Sequence, residues 1–400
     1  MIKGKNILLG VTGGIACYKD LELCSRLIKK GANIKVIMTP SATEFVRPLA
    51  FETMARSEVY SDMWEGHHDI VHHIDLPKWA DVMLIAPASA STIGKMANGI
   101  SDNFLTAAYL ACAKDVIIAP SMNTQMLQNP ATQKNIETLR SYGVKVIAPE
   151  SGILACDTIG DGRMEEPEQI VEYLEDYFTK KDLLGKNIIV TAGPTIEPID
   201  FVRYITNHSS GKMGYNIANE AKKRGANVTL ISGPVKPFEI AGINRIEIKT
   251  NDQLKDAIES NFSDADALIM AAAPVDYKAS EVSDKKIKKS GSNLNMEFIE
   301  NTDILKHFGS VKTKQTIIGF AAETDDLIDN ANKKLISKNA DYIIANDLKK
   351  EGAGFNTETN IASIISKDNV INLDIMTKEE LANKILDFCL LYTSPSPRDS

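Results

Sequence analysis

The chain has 400 residues, enough for two domains of ordinary size, and 44% of them are hydrophobic, enough for two cores. A net charge of −8 argues against nucleic acid as a partner, and no apolar run reaches the roughly 18 residues that a membrane span needs. Cys17, Cys24, Cys112, Cys156 and Cys389 form no CxxC pair, and "MIKGKNILLG" enters a strand with no signal-peptide pattern, so reduced thiols in the cytoplasm are expected.

In chain order, "NILLGV" reads as a buried strand and "TGGIA" as a turn that lacks the full G-x-G-x-x-G spacing. "LELCSRLIKKG" is an amphipathic helix ending at Gly31, and "NIKVIMT" is a second strand. "HHIDLPKWAD" reads as loop or strand leading to Pro77. The apolar runs "DVMLIA" (81–86), "DVIIAP" (115–120) and "VKVIAP" (144–149) continue one sheet, and "EDYFTKKDLLGK" closes a helix and forms a linker. The chain then starts again. "GKNIIVTAGPT" (185–195) echoes "GKNILLGVTGG" (4–14), and "KRGANVTLISG" (223–233) echoes "KKGANIKVIMT" (29–39). "DALIMAA" (266–272), "TIIGFAA" (316–322) and "DYIIAN" (341–346) extend the second series. Apolar strands alternating with helices imply parallel sheets covered on both faces. The expected fold is therefore α/β, with two doubly wound, Rossmann-like domains over 1–180 and 185–390. The last ten residues, "LYTSPSPRDS" (391–400), read as a disordered or foreign tail.

In such sheets ligands sit beyond the carboxyl ends of the strands. The residues there are Gly13 and Gly14, the small and hydroxyl-rich "APASASTIGKMANGISDN" (86–103), "APSMNTQM" with Asn123, and the glycine-punctuated "ESGILACDTIGDGRM" with Cys156. "GHHDIVHHIDL" holds four of the six histidines, but no cysteine or paired carboxylate completes a metal site, so metal ligands stay unassigned. In the second half, "NHSSGKMG" offers a serine-rich turn to cap a helix. "SDKKIKKSG" places four lysines in five positions beside a glycine, either a loop that closes over a triphosphate or a solvated charge run.

"TGGIACYK", "HIDLPKWAD", "PASASTIGKMANGISDN", "PSMNTQM" and "ACDTIGDGRM", in that order, resemble the flavin-dependent cysteine decarboxylases that act on phosphopantothenoylcysteine. "TAGPTIEPIDFVRYITNHSSGKMG", "AAAPVDY", "KIKK", "GFAAET" and "ANDLKKEGAGFN" resemble bacterial phosphopantothenate–cysteine ligase. The likeness covers about residues 4–390 and implies the bifunctional bacterial enzymes of coenzyme A synthesis, with an FMN-dependent decarboxylase over 1–180 and a CTP-dependent ligase over 185–390.

For the first domain the resemblance implies Cys156 as proton donor, His73 as the active-site histidine and Asn123 as the group that bonds the substrate carboxylate. It implies flavin contacts from Gly13, Gly14, Ile15, Thr39, Ser41, Ser89, Ala90, Ser91, Thr92 and Ser121. Ser91, Leu127 and Asp157 depart from the family's usual Asn, aromatic residue and Gly. For the second it implies Lys286 as the catalytic lysine and Asn207 as the asparagine holding phosphopantothenate and its acyl-cytidylate. Asp276, Phe320, Lys334 and Lys338 would join Lys286 around the nucleotide. The substrates implied are 4′-phosphopantothenate, L-cysteine and CTP with Mg2+, with neither nucleic acid nor membrane as partner. Trimeric decarboxylase contacts and dimeric ligase contacts would together give a homo-oligomer, up to a dodecamer. Two rivals predict different residues. A nicotinamide oxidoreductase needs a complete dinucleotide fingerprint, and a non-catalytic flavin-binding regulatory module needs neither Cys156 nor the lysine loop.

Overall fold

The structure, a computed structural model, describes residues 2–63, 71–153, 159–288, 293–323, 327–347 and 357–391. Contacts divide the chain into two compact units, Met1–Thr179 and Lys180–Ser400.

The first unit is built on strands β1 (Asn6–Val11), β2 (Asn33–Met38), β3 (Val59–Tyr60), β4 (Val82–Ala88), β5 (Val116–Pro120) and β6 (Lys145–Val146). They pair in parallel in the order β3-β2-β1-β4-β5-β6. Helices on both faces explain why β1 from Ile7 onward and the whole of β4 are apolar, since neither face meets water. A hairpin of β7 (Glu150–Ile153) and β8 (Ile159–Arg163) stands apart from this sheet. Cys156 and Asp157 fall between its strands and, with His67 and His68, lie outside the described residues.

The second unit uses β9 (Asn187–Ala192), the hairpin β10 (Ile196–Pro198) and β11 (Tyr204–Thr206), β12 (Asn227–Ser232), β13 (Asn244–Glu247) and β14 (Ala267–Met270). It continues with β15 (Tyr277–Ala279), β16 (Phe298–Glu300), β17 (Thr316–Glu323), β18 (Tyr342–Asp347), β19 (Thr359–Asn360), β20 (Ala362–Ser366), β21 (Val370–Asn372) and β22 (Met376–Thr377). Its main sheet runs β13-β12-β9-β14-β17-β18-β20-β21. The first six are parallel, β20 pairs antiparallel with β18, and β21 pairs antiparallel with β20. Counted in order of appearance, the six parallel strands repeat the 3-2-1-4-5-6 arrangement of the first unit. The echo in the sequence is thus an echo in topology, and each unit reverses strand order beside its first strand, where such folds open a crevice.

The helix Lys212–Lys223 packs against β9 through Gly214, where an added Cβ would lie 2.6 Å from the Ala192 side chain and 2.7 Å from the Thr191 carbonyl oxygen. The chain closes with the helix Lys378–Leu386 and a π-helical turn, Asp387–Leu391, that buries Cys389. The rest of the expected tail, residues 392–400, lies outside the described residues.

Two local expectations fail. "HHIDLPKW" is a helix, His72–Trp79, with Pro77 inside it. Leu76 and Pro77 are buried, and their packing outweighs the roughly 3 kcal/mol that a proline costs inside a helix. The second concerns the serine-rich turn before Lys212, which does not supply the N-cap residue and gives only a long bond, from Lys212 N–H to Ser210 Oγ at 3.5 Å. Gly211, at φ 74°, takes the N-cap in a left-handed conformation that glycine adopts without strain.

Candidate functional sites

In the first unit the carboxyl ends of β1, β2, β4 and β5 surround a cavity of about 490 Å³. Gly13, Gly14, Thr39, Ser41, Ser89, Ala90, Ser91, Thr92 and Ser121 all line it. Gly13 is required by close approach, since a Cβ there would lie 2.5 Å from Ser41 Cβ. A Cβ on Gly14 would meet nothing within 4 Å, so its backbone faces open space. Thr39 and Ser89 each cap a helix with their side-chain oxygens, accepting from the Ala42 and Thr92 backbone N–H groups. Both helices therefore begin at the cavity wall.

Thr12 was not anticipated. Fully buried, its hydroxyl donates to the Pro87 carbonyl (2.6 Å) and accepts from the Ser89 N–H (2.9 Å), so it locks β1 to the end of β4. Its place in "VTGG" is the sequence signal for it. Lys95, Asp102 and Asn103 also reach the cavity, and Lys95 pairs with Asp102 at 2.7 Å.

Three predicted residues do not line it. Ile15 is 60% exposed. His73 sits in the first turn of its helix, and the ring contact there is between Tyr60 and the neighbouring His72. Asn123 is the N-cap of the helix Thr124–Gln128, its Oδ1 accepting from Gln125 N–H at 2.8 Å. Among the described residues no group of three or more His, Cys, Asp or Glu side chains is placed to hold a metal ion. The residues that do line the cavity fit a phosphorylated flavin. They offer hydroxyls, open backbone at Gly14 and helix N-termini, and the volume lies within the range of cofactor sites.

In the second unit two pockets share a wall. The first, about 460 Å³, brings together Asp276, Phe320, Lys334 and Lys338. The second, about 490 Å³, is lined by Asn207, Ser209, Ser210, Lys212, Asn346, Asn360 and Lys378. Ala272, Pro274, Asp276, Phe320 and Lys334 face both. Lys334 donates to the Phe320 carbonyl at 3.2 Å. Lys338, just past the end of the helix Leu327–Ser337, pairs with Asp303. Burial alone would raise the Asp303 carboxyl, but the bond from Lys338, the Lys306 N–H and the charges of Lys338 and Lys334 together hold the group below its ordinary range.

The shared wall is braced by a buried polar network. Thr195 Oγ1 donates to Asn251 Oδ1 (2.5 Å) and accepts from Val275 N–H (2.9 Å). Asn251 Nδ2 donates to the Val275 carbonyl (2.9 Å), and its backbone N–H to Glu197 Oε1 (2.9 Å). Asn301 Nδ2 reaches the same carboxylate at 3.1 Å, and Asn207 Nδ2 donates to the Pro274 carbonyl at 2.8 Å. Thr195, Glu197 and Asn251 were not singled out in the sequence, although "TAGPTIEP" contains two of them.

Lys286 is exposed and lines neither pocket. Its neighbour Ile287 is tied to "IDFVR". Ile287 N–H donates to Asp200 Oδ2 (3.1 Å), and Arg203 Nη1 donates to both the Ile287 carbonyl (3.2 Å) and Asp200 Oδ2 (2.8 Å). Desolvation alone would raise the Asp200 carboxyl. The N–H groups of Val202, Ile287 and Arg203, with the Arg203 charge, hold it low instead.

The family described as "Flavoprotein" matches residues 1–179, and the "DNA/pantothenate metabolism flavoprotein C-terminal domain" matches residues 183–391. A protein named Coenzyme A biosynthesis bifunctional protein CoaBC from Bacillus subtilis (strain 168) is 45% identical, over 96% of this chain and 97% of its own. Proteins of the same name from Vibrio parahaemolyticus serotype O3:K6 and Haemophilus influenzae are each 42% identical. They cover 96% of this chain and, respectively, 98% and 97% of their own.

Proposed function

The chain belongs to the family of coenzyme A biosynthesis bifunctional proteins, and from that premise we propose how its two units divide the work. The enzyme is a ligase and a decarboxylase on one chain. The second unit couples 4′-phosphopantothenate to L-cysteine, and the first decarboxylates the product to 4′-phosphopantetheine. The observation that carries this reading is the pair of pockets sharing a wall at Ala272, Pro274, Asp276, Phe320 and Lys334. Joining a carboxylate to an amine through an acyl-nucleotide needs two substrates to meet at one phosphorus, and adjoining pockets allow that.

In the ligase, Asp276 and Phe320 orient CTP in the first pocket, and Lys334 and Lys338 face its phosphates as point charges. Lys286, tethered through Asp200 and Arg203, supplies the remaining positive charge as negative charge builds on the α-phosphate. Mg2+ accompanies the triphosphate. Asn207 holds phosphopantothenate and then the acyl-cytidylate in the second pocket, next to the start of the helix Lys212–Lys223.

In the decarboxylase, Gly13, Gly14, Thr39, Ser41, Ser89, Ala90, Ser91, Thr92 and Ser121 hold FMN from the cavity wall, and Ile15 adds a contact from its exposed position beside Gly14. Bound FMN supplies a two-electron oxidant for the substrate's CH2–SH group, which gives the departing carboxylate an electron sink. Asn123 bonds that carboxylate, His73 assists at the thiol, and Cys156 delivers the final proton. His73 and Asn123 do not line the cavity of their own chain, which suits a flavin site completed at a subunit boundary in a cytoplasmic homo-oligomer.

Incubation with phosphopantothenate, CTP and Mg2+ but no cysteine tests the ligase half. The acyl-cytidylate should accumulate with release of pyrophosphate, whereas consumption of ATP in preference to CTP overturns the nucleotide assignment. In the other half, Cys156→Ser should stop after CO2 loss and leave an oxidised product detectable by mass. Full turnover by that variant removes Cys156 from its role.

A further inference from the structure

β8 and the residues that follow it, as far as Glu166, are fastened at two points. At the first, Met122 N–H donates to the Gly162 carbonyl (2.9 Å), and Thr124 Oγ1 donates to the Asp161 carbonyl (2.8 Å). The strand lies too close here to carry side chains. A Cβ on Gly162, which also takes a φ of 128°, would sit 2.2 Å from the Met122 carbonyl oxygen. One on Gly160 would sit 2.4 Å from Thr124 Oγ1. At the second point, the ammonium of Lys19 donates to the Met164 carbonyl (3.1 Å) and to Glu166 Oε1 (2.9 Å), and Arg163 Nη2 reaches the same oxygen at 2.7 Å. Lys19 and Met164 are buried, so water competes little for these bonds. Lys19 opens the helix Lys19–Lys29, just after the turn at Gly13 and Gly14, while Asn123 lies between Met122 and Thr124. One strand thus ties the glycine turn of the cavity to the segment that carries Asn123. Asn123 itself is exposed, and with its Oδ1 engaged by the Gln125 N–H it meets a carboxylate through its donor edge, Nδ2.

We propose that Thr124 is a positioning residue of the decarboxylase. Anchored to β8, whose far end Lys19 holds, it fixes the Asn123 carboxamide where the substrate carboxylate must lie when the CH2–SH group meets the flavin. This rests on the assignment of Asn123 to that carboxylate made above. Holding the residues on either side of Asn123 removes backbone freedom that an exposed segment would otherwise lose only on binding substrate.

The test is a double-mutant cycle on the flavin-loaded protein, read by CO2 release from phosphopantothenoylcysteine. Thr124→Val removes the hydroxyl at nearly constant volume and should raise the KM about three- to tenfold. Two affinities should stay unchanged: that for FMN, and that for 4′-phosphopantetheine, which lacks the carboxylate and is measured as a product inhibitor. Thr124→Ser keeps the hydroxyl and should behave as the wild type. Thr124 is half-buried, so neither variant threatens the fold. In an Asn123→Ala background, Thr124→Val should add no further loss, because the group it positions is gone. An unchanged KM in Thr124→Val, an additive loss in the double variant, or an equal weakening of 4′-phosphopantetheine overturns the proposal. If the wild-type chain releases no CO2, or if Asn123→Ala alone leaves the KM unchanged, it is the decarboxylase reading that fails.

Discussion

Asp20 has no exposed surface, and among the described residues neither of its carboxylate oxygens has a hydrogen-bond partner. Burial pushes its carboxyl well above the ordinary range, and Lys19 offsets this only in part. Burial and, after it, the same carboxyl push the neighbouring thiol of Cys17 up to about 11. A raised folded-state pKa means the folded chain holds the proton more tightly than the unfolded one. Stability from this group is therefore complete below the ordinary carboxylate pKa, about 4, and declines as pH rises from there towards the folded value. Asp20→Asn should be neutral near pH 4 and stabilise the first unit by about 1–3 kcal/mol near pH 7. Urea unfolding of the flavin-loaded protein at both values measures this, and equal midpoint shifts at the two would contradict it. Asp200 is the opposite case. Held low, its tether to Ile287 persists above the ordinary carboxylate range and is lost as pH falls through its depressed pKa. Asp200→Ala should lower kcat for pyrophosphate release about tenfold, as expected when a charged positioning bond is lost, with decarboxylation of supplied phosphopantothenoylcysteine unchanged.

At the scale of elements, the helix Lys212–Lys223 lies so close to β9 that Gly214 has no room for a methyl group. Gly214→Ala should cost about 1–3 kcal/mol by overpacking against the Thr191 carbonyl, seen as an earlier urea transition of the second unit. A transition at the wild-type position would show that the contact relaxes freely. Much of the framework was legible in the sequence, because continuous apolar runs bounded by glycine turns have few solutions other than buried parallel strands. The cavity of the first unit was legible for a similar reason, since its lining residues follow directly on the strands. The bracing network was less so. Thr195 and Asn251 are separated by 56 positions, and a single sequence carries no sign that they meet. Pro77 misled for the converse reason, as a strong local rule was overridden by burial.

At the scale of the molecule, both units use the same arrangement of six parallel strands and place different chemistry at its crevice. Small and hydroxyl residues fill one, while lysines, amides and a shared wall fill the other. On the proposed division of work, the intermediate made by the second unit is the substrate of the first, which gives a physical reason to hold both on one chain at equal numbers. The central claim is that these two reactions run in sequence. The direct measurement is to supply the flavin-loaded protein with 4′-phosphopantothenate, CTP, Mg2+ and cysteine labelled at its carboxyl carbon, and to follow the label. The account predicts that it leaves as CO2 while 4′-phosphopantetheine appears in equal amount. Label retained in an accumulating phosphopantothenoylcysteine, or never incorporated from cysteine at all, would contradict it.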